Sequence, residues 1–254
     1  MTLPRTPSFR LDHRRALVTG GTRGIGLGAA VALAEAGAAV TVAARTAADI
    51  ERVVNDMAAA GLTAEGVALD ITDRETVKAF VEDVEAFDIL VNSAGTARHS
   101  DFSEITPENY SAVMDVNLAA TIFVSQAVVK KLMASGKGGS IIHVSSQMGH
   151  VGGPRRAVYA ASKHAVEGLT KAMAIELAPN NIRVNTVCPT FVETELTARN
   201  LSDPDFRSWV LSKIKLGRLG QVEDLMGPIV FLASDAAALI TGTSLLVDGG
   251  WTAE

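Results

Sequence analysis

The chain has 254 residues, of which 48% are hydrophobic and 20% are charged, so it can bury a full core and is neither disordered nor fibrous in composition. Its net charge of -5 argues against nucleic acid or an anionic membrane surface as the main partner. The single cysteine, Cys188, excludes an internal disulfide, and neither the N-terminal segment nor any other stretch is apolar enough to predict a secretion signal or a membrane span. We therefore predict a cytoplasmic protein that binds neither nucleic acid nor a membrane.

Short apolar runs alternate with longer amphipathic stretches along the chain, which is the pattern of repeated βαβ units. The runs are apolar almost throughout, which is typical of parallel strands that are covered on both faces. The sequence therefore predicts an α/β protein with a single doubly wound domain over 1–254. The predicted strands are 15–20, 39–45, 64–69, 88–95, 139–146, 181–189 and 243–250.

The segment TGGTRGIG at 19–26 follows the first predicted strand and opens the first predicted helix, 26–37. Gly20, Gly24 and Gly26 can adopt positive φ and allow a ligand to approach the backbone closely, because they lack a Cβ. The start of the helix adds free N–H groups and the positive end of the helix dipole. At the first strand-to-helix corner, this turn predicts a binding site for the pyrophosphate of a dinucleotide.

The spacing TGxxxGxG, together with NSAG at 92–95 and YAASK at 159–163, resembles the short-chain dehydrogenase/reductase family. The resemblance covers essentially the whole chain, up to LVDGGW at 246–251. It implies a Rossmann-type domain with a seven-stranded parallel sheet flanked by helices, and a nicotinamide dinucleotide as the cofactor.

Tyr159 stands four residues before Lys163, and residues four apart lie on one face of a helix. A free phenol has a pKa of about 10 and is a poor base at neutral pH. Lys163 and the positive ring of an oxidised nicotinamide would both lower the pKa of this phenol, and a shift to about 7 requires roughly 4 kcal/mol. The phenol could then exchange a proton with a carbonyl or alcohol oxygen. We predict that both residues are catalytic and contact the cofactor.

The resemblance implies two further catalytic residues. Ser146 lies at the carboxyl end of a predicted strand and matches the family's catalytic serine, with Ser145 as the alternative. A hydroxyl there can hydrogen-bond the substrate oxygen as charge develops on it. Asn117 matches the family's asparagine that holds a water beside the lysine. Each of these residues could instead be a cap or a core hydrogen-bonding group.

The end of the second predicted strand favours the phosphorylated form of the cofactor. Folds that bind NAD place an acidic residue there, whereas arginine accommodates the extra phosphate of NADP. Here the position holds Ala44, Arg45 follows it, and Arg23 in the glycine turn is a second cation. NADP(H) is therefore the predicted cofactor, with NAD(H) as the alternative if the two arginines are only solvated.

The resemblance also implies cofactor contacts at other strand ends. Asp70 matches an adenine-proximal aspartate, although it could equally be a turn or helix cap. Thr190 stands where the family usually has glycine and adds bulk and a hydroxyl beside the nicotinamide. No residue is predicted to bind a metal. The remaining predicted contacts are Thr22, Ile25, Ile71, Asn92, Ala94, Gly95, Pro189, Val192 and Thr194.

The segment 190–220 fits no strand and is predicted to form a lid over the substrate. Its apolar and basic side chains suit either a lipid-like chain or a polar sugar. Several basic residues near the predicted site could bind a carboxylate or phosphate of the substrate, or could lie at a subunit interface. They are Arg98, His99, His150, Arg155 and Arg156.

The resemblance further implies a homodimer or homotetramer. The helices at about 107–134 and 157–178 would pair between subunits, and Trp251 would pack against either a symmetry mate or its own subunit. His143 is predicted to be a core residue, and Cys188 a buried small hydrophobe without a reactive thiol.

The leading hypothesis is an NADP(H)-dependent reductase or dehydrogenase of a small-molecule carbonyl or alcohol. Candidates implied by the resemblance include 3-oxoacyl-thioester reductases and dehydrogenases of sugars, polyols or gluconate. The alternatives are an NAD-dependent enzyme, an epimerase or dehydratase, and a cofactor-sensing binding protein without turnover. Relatives of the last kind typically lose the tyrosine or the lysine, and this chain has both.

Overall fold

The computed structural model describes residues 2–253, apart from the side chain of Arg199, and is built around a seven-stranded sheet. The strands are β1 Arg15–Thr19, β2 Ala39–Ala44, β3 Ala64–Ala68, β4 Ile89–Asn92, β5 Gly139–Val144, β6 Ile182–Pro189 and β7 Ser244–Val247. Their spatial order is β3-β2-β1-β4-β5-β6-β7, and each neighbouring pair is parallel. The strand order reverses between β1 and β4, so a crevice opens at their carboxyl ends, where sheets of this kind bind ligands.

Helices cover both faces of the sheet. They are α1 Gly24–Glu35, α2 Ala47–Ala59, α3 Arg74–Asp83, α4 Pro107–Met114, α5 Ala120–Ser135, α6 Ala157–Leu177, α7 Glu195–Leu201, α8 Pro204–Lys213 and α9 Glu223–Ala233. Local sequence fixes several of their ends. Asp73 caps α3 by accepting from the Thr76 N–H, and Thr106 caps α4, which begins with Pro107. Gly136 ends α5 in the left-handed region, with φ of 67°.

The buried apolar side chains form one cluster on each face of the sheet. Helices α1 and α9 pack together over one face, where Leu33, Val42 and Ile229 are fully buried. Helices α3, α5 and α6 cover the other face, where Leu17 and Val128 are fully buried. Burial on both faces explains why β1, β2, β4 and β5 are largely apolar, whereas the edge strand β3 is mostly exposed.

The helical stretch Pro107–Ser135 crosses one face of the sheet and contains a π turn, Asp115–Ala119, between α4 and α5. By length and composition alone this stretch is apolar enough to cross a membrane, although we predicted no such span from uninterrupted apolar runs. In the fold it packs against α3 and α6 and contributes Val124 and Leu132 to the core. Core packing therefore accounts for the part of this apolar stretch that is buried.

The segment 190–220, which follows β6, contains α7 and α8. Val192 and Gly220, near its two ends, form an isolated parallel β-bridge. A third apolar cluster lies under this segment. Trp251 belongs to this cluster, with its ring centroid 5.7 Å from that of Phe191 and 5.6 Å from that of Trp209. Trp251 therefore has packing partners within its own subunit.

The predicted Rossmann-type fold with seven parallel strands is confirmed. The predicted strand at 88–95 is too long, because the N–H groups of Ser93 and Ala94 hydrogen-bond to the hydroxyl of Thr19 and not to a neighbouring strand. These two bonds join the loops after β1 and β4 at the crevice.

Candidate active site

The glycine turn leaves no room for side chains on its inner surface. Gly20 and Gly24 have positive φ, 66° and 51°. A Cβ on Gly26 would stand 2.2 Å from the carbonyl oxygen of Gly20, so the turn requires glycine there. The N-terminus of α1 has no side-chain cap from Arg23 and no acidic residue in its first turn. An anion at this helix end meets backbone N–H groups without a competing carboxylate, so the turn fits a pyrophosphate.

The other predicted cofactor residues lie at or near the same edge of the sheet. A Cβ on Gly24 would meet the methyl group of Thr194 at 3.3 Å, so the loop that leads into α7 touches the glycine turn. Thr22 and Ile25 lie in or just after the turn, and Asp70 and Ile71 follow β3. Asn92, Ala94 and Gly95 end or follow β4, Pro189 ends β6, and Val192 and Thr194 lead into α7.

Two of these residues use their side chains within the protein. The Asn92 amide donates to Ser125 Oγ at 2.9 Å and lies 3.1 Å from His143 Nδ1. Asn92 therefore does not present its side chain to the crevice. Asp70 accepts from the N–H and hydroxyl of Thr72 at 2.9 and 2.7 Å, and these bonds lower the pKa of its carboxyl. Asp70 thus has the turn-capping role that the sequence left open.

Helix α6 places Tyr159 and Lys163 on one face at the carboxyl end of β5. The Lys163 Nζ lies 5.7 Å from the centroid of the Tyr159 ring and donates to the carbonyl of Val144 at 2.8 Å. Burial lowers the pKa of Lys163 to about 8, against the opposing influence of Cys188 and Glu167. Lys163 is 6% exposed, so the two residues do not form a solvated surface pair.

The pKa of Tyr159 corrects one expectation. The sequence led us to expect that neighbouring positive charge lowers it. In the structure burial raises the pKa of the phenol. The effect of burial is larger than the opposing effects of the hydrogen bond to Ser146 and the charge of Arg156, which both lower the pKa. The protein alone therefore keeps Tyr159 protonated at neutral pH, ready to donate a proton and not to accept one.

Ser146, and not Ser145, is the serine that contacts the tyrosine. A hydrogen bond between Ser146 and Tyr159 opposes the rise of the phenol pKa. Ser146 Oγ also donates to Gln147 Oε1 at 2.7 Å and accepts from the Met148 N–H at 3.1 Å. The side chain of Ser145 is oriented toward Cys188.

Asn117 lies in the π turn, is buried, and joins two parts of the site. Its Oδ1 accepts from the Thr96 N–H at 2.8 Å, and its Nδ2 donates to the Thr96 carbonyl at 3.0 Å and to Ser162 Oγ at 3.1 Å. Ser162 in turn donates to the carbonyl of Tyr159 at 2.7 Å. Asn117 therefore ties the loop after β4 to the first turn of α6.

Comparisons with known proteins agree with this geometry. The family model described as Enoyl-(Acyl carrier protein) reductase matches residues 20–252. The chain is 42% identical to D-erythrulose reductase of Gallus gallus over 245 residues, 96% of this chain and 98% of the relative. It is 37% identical to gluconate 5-dehydrogenase of Gluconobacter oxydans (strain 621H) over 248 residues, 96% of each. The crystal structure of a gluconate 5-dehydrogenase from Burkholderia cenocepacia J2315 in complex with NADP and tartrate is similar with a TM-score of 0.94 and 39% identity, over 97% of this chain and 98% of the other.

The chain belongs to the short-chain dehydrogenase/reductase family. The predicted family is confirmed, and with it the class of activity. This short-chain dehydrogenase/reductase is an oxidoreductase that acts on CH–OH or C=O groups.

A buried carboxylate below the predicted catalytic pair was missed in the sequence. Glu167, one helical turn after Lys163, accepts hydrogen bonds from Thr186 Oγ1 at 3.1 Å, from Cys188 Sγ at 3.3 Å and from Ser244 Oγ. Its i+4 spacing from Lys163 was a usable signal, because it puts both residues on one face of α6.

His150, Glu167 and Cys188 lie close enough together to hold a metal ion. Burial and the charge of Glu167 raise the pKa of Cys188 to about 12, so its thiol keeps its proton and acts as a donor. This agrees with the prediction of an unreactive cysteine. His150 Nε2 lies 3.8 Å from Glu167, so His150 belongs to this cluster.

Of the basic residues considered for the substrate, the structure places Arg156 and His99 beside the tyrosine. Arg156 is 6% exposed, and its Nη1 lies 3.0 Å from His99 Nε2. The His99 ring packs edge-on against Tyr159 at 6.4 Å between centroids. Arg155 is exposed and pairs with Asp101 at 3.5 Å. Arg98 is exposed as well.

His143 is a core residue, as predicted, with one unsatisfied nitrogen. Its Nδ1 faces the amide donor of Asn92, so the ring proton is on Nε2, which has no partner among the described residues. Burial lowers its pKa to about 4. The unfolded chain binds a proton at about pH 6.5, so stability present above that pH is lost as the pH falls toward 4.

We therefore expect the free energy of unfolding to decrease by roughly 3 kcal/mol from this group alone between pH 7 and pH 4. Urea titrations at several pH values measure it. His143→Gln should flatten this dependence, whereas His164→Gln, on the exposed surface of α6, should not. An equally steep dependence in His143→Gln and the native protein would contradict the assignment.

Proposed function

We propose that this protein uses NADP(H) to interconvert a small polyhydroxylated ketone and the corresponding secondary alcohol. The observation that carries the proposal is the grouping of Ser146, Tyr159 and Lys163 at the carboxyl edge of the sheet, the edge at which the glycine turn also lies. The named relatives support the substrate class, because they reduce D-erythrulose or oxidise gluconate by name. The NADP-bound structure of a relative supports the cofactor.

The reduction needs a hydride at the carbonyl carbon and a proton at the carbonyl oxygen. When bound, NADPH supplies the hydride. Tyr159 donates the proton to the oxygen, since burial keeps its phenol protonated. Ser146 hydrogen-bonds the same oxygen as negative charge develops, and Lys163 stabilises the phenolate that is left behind. In the oxidation the phenolate takes the proton back.

The other predicted residues position these three and hold the cofactor. Asn117 fixes the start of α6 relative to the loop after β4, through Thr96 and Ser162. The glycine turn and the N-terminus of α1 would hold the pyrophosphate. Thr190, with a buried hydroxyl that has no partner in the described residues, would offer that hydroxyl to the nicotinamide side of the site.

The end of β2 supports NADP(H) as the preferred cofactor. Ala44 provides no carboxylate for a ribose hydroxyl. Arg45 is exposed and forms no ion pair within 4 Å among the described residues, although its charge helps to lower the pKa of the Asp70 carboxyl. Arg23 pairs with Glu195 at 3.4 Å, both largely exposed, so Arg45 is the freer of the two cations. A phosphate on the ribose would pair with Arg45.

Arg45→Ala should raise the KM for NADPH about 10-fold or more and leave the KM for NADH nearly unchanged, because only the phosphorylated cofactor loses a charged contact. Steady-state kinetics with both cofactors measure the change. Arg52→Ala is the matched control, since Arg52 lies on the exposed face of α2 near Asp49 and Asp56. A native preference for NADH, or an equal effect of Arg45→Ala on both cofactors, would contradict the assignment.

A panel of carbonyl compounds tests the activity. The protein should consume NADPH in proportion to product with ketoses or keto sugar acids. A cofactor-sensing protein would bind NADPH without consuming it, and an epimerase would convert substrate without net change of the nucleotide. Either of those results would replace the proposal.

The proposal includes a lid, a cytoplasmic location and a homodimer or homotetramer. The segment 190–220 would cover the substrate through α7 and α8. Assembly through the long helices is supported by exposed apolar side chains, namely Tyr110, Met133 and Ile175. Light scattering during size-exclusion chromatography measures the assembly, and a monomer at micromolar concentration would contradict it.

A further inference from the structure

Arg156 is a buried cation that lies against two aromatic rings and a histidine. Its guanidinium carbon lies 5.2 Å from the ring centroid of Phe191 and 5.3 Å from that of Phe206, both on the lid segment. Its Nη1 lies 3.0 Å from His99, which burial and the nearby arginines keep neutral, with a pKa of about 4. Within the described residues no carboxylate pairs with Arg156. A buried charge without a counter-charge is energetically costly. The site is therefore suited to an anion that comes from outside the chain.

His99 adds an unused donor at the same place. Arg156 donates to Nε2, so the proton of the neutral ring is on Nδ1. This Nδ1 is buried and has no hydrogen-bond partner in the part of the chain described here. The His99 ring packs edge-on against Tyr159 and Arg156 is hydrogen-bonded to that ring, so the pair adjoins the residue that would protonate the substrate.

The neighbouring Arg155 is exposed, so of the two consecutive arginines only Arg156 is buried. Arg155 adopts a left-handed backbone conformation, with φ of 60°, and its side chain points outward to Asp101. The next residue, Arg156, immediately precedes α6, three residues before Tyr159, and its side chain is buried. The two consecutive arginines therefore differ: Arg155 forms an ion pair on the surface, and Arg156 lies at the site without an ion pair among the described residues.

We propose that Arg156 and His99 bind the carboxylate of the substrate, which is then a sugar acid and not a neutral ketose. The inference rests on the proposed function and narrows its substrate class. The comparisons leave this choice open, because the relatives include a D-erythrulose reductase and a gluconate 5-dehydrogenase. A planar guanidinium that lies beside two aromatic rings suits a carboxylate, which it can bind with two parallel hydrogen bonds.

Calorimetric titration of the NADP⁺-loaded protein with D-gluconate and D-glucitol tests the proposal, because the two probes differ in the carboxylate. Native protein should bind gluconate more tightly than glucitol. Arg156→Gln should raise the Kd for gluconate by at least about 30-fold and change that for glucitol less than 3-fold. Arg155→Gln, which removes the same charge one residue away, should change neither.

Three outcomes would overturn the proposal. The first is equal weakening of both probes in Arg156→Gln, which would make Arg156 a latch for the lid. The second is native binding of glucitol as tight as that of gluconate. The third is tighter binding of D-glucitol 6-phosphate than of gluconate, which would make the ligand a phosphate ester.

Should Arg156→Gln fail to fold, as read by thermal unfolding, His99→Phe carries the test. It keeps an aromatic ring against Tyr159 and removes the Nδ1 donor, so gluconate should bind about 10-fold more weakly and glucitol unchanged. Turnover separates this inference from the proposed function. Consumption of NADPH with L-xylulose but not with a keto-gluconate would refute the carboxylate site alone, whereas no consumption with any carbonyl would refute the function.

Discussion

Replacing Tyr159 by phenylalanine should lower kcat for carbonyl reduction roughly 10²- to 10⁴-fold, the usual contribution of a positioned proton donor. The ring of Tyr159 is partly buried against His99, and phenylalanine preserves that packing. The hydroxyl is the only group removed, so the Kd of NADPH, measured by fluorescence titration, should change little. Stopped-flow measurement of NADPH oxidation gives the rate.

The chain provides its own control for this substitution. Its other tyrosine, Tyr110, is half exposed on α4. Tyr110→Phe should leave kcat within a factor of two. A Tyr159→Phe protein that is folded, binds NADPH and turns over at the native rate would remove the tyrosine from the mechanism.

The parts of the fold and site that are encoded locally could be predicted from the sequence. Most of the parallel strands are buried on both faces and largely apolar, and all seven were found, with errors only at their ends. The glycine turn and the Tyr159–Lys163 pair are each defined by residues within a stretch of eight, so both could be recognised in the sequence. Helix periodicity is enough to place that pair on one face.

What the sequence did not show depends on contacts between distant segments. The Asn92 side chain is bonded to Ser125 and His143, which lie on other elements, so its inward orientation has no local signal. The pKa of Tyr159 was expected to fall, but burial raises it, and burial depends on the lid segment and the loop after β4. Likewise, nothing in the dipeptide of Arg155 and Arg156 distinguishes the paired arginine from the unpaired one.

Replacing Lys163 by methionine should lower the rate of alcohol oxidation at pH 7 by about 10- to 10³-fold. An opposite charge within about 4–6 Å favours an ionised group by about 1–3 pKa units, and the lysine Nζ lies 5.7 Å from the phenol ring. Without this charge the phenolate forms only at higher pH. The deficit relative to native protein should be largest near pH 7 and shrink above pH 8, because the lysine of the native protein loses its own charge there. Lys171→Met, on the exposed face of the same helix, should have no effect.

The buried carboxylate allows the charge of Lys163 to be changed without removing its side chain. The pKa of Lys163 is about 8, so its charge is present at neutral pH and lost as the pH rises through that value. Glu167 favours the charged form, and Glu167→Gln keeps a polar group for Thr186 and Ser244 while removing the negative charge. The pKa of Lys163 should then fall further, so the oxidation rate of Glu167→Gln, divided by that of native protein, should decrease between pH 6 and 8. It should recover above pH 9, where the lysine is neutral in both proteins. A ratio that does not vary with pH would mean that Lys163 acts only by its hydrogen bond to Val144 and not by its charge, since that bond is present in both proteins.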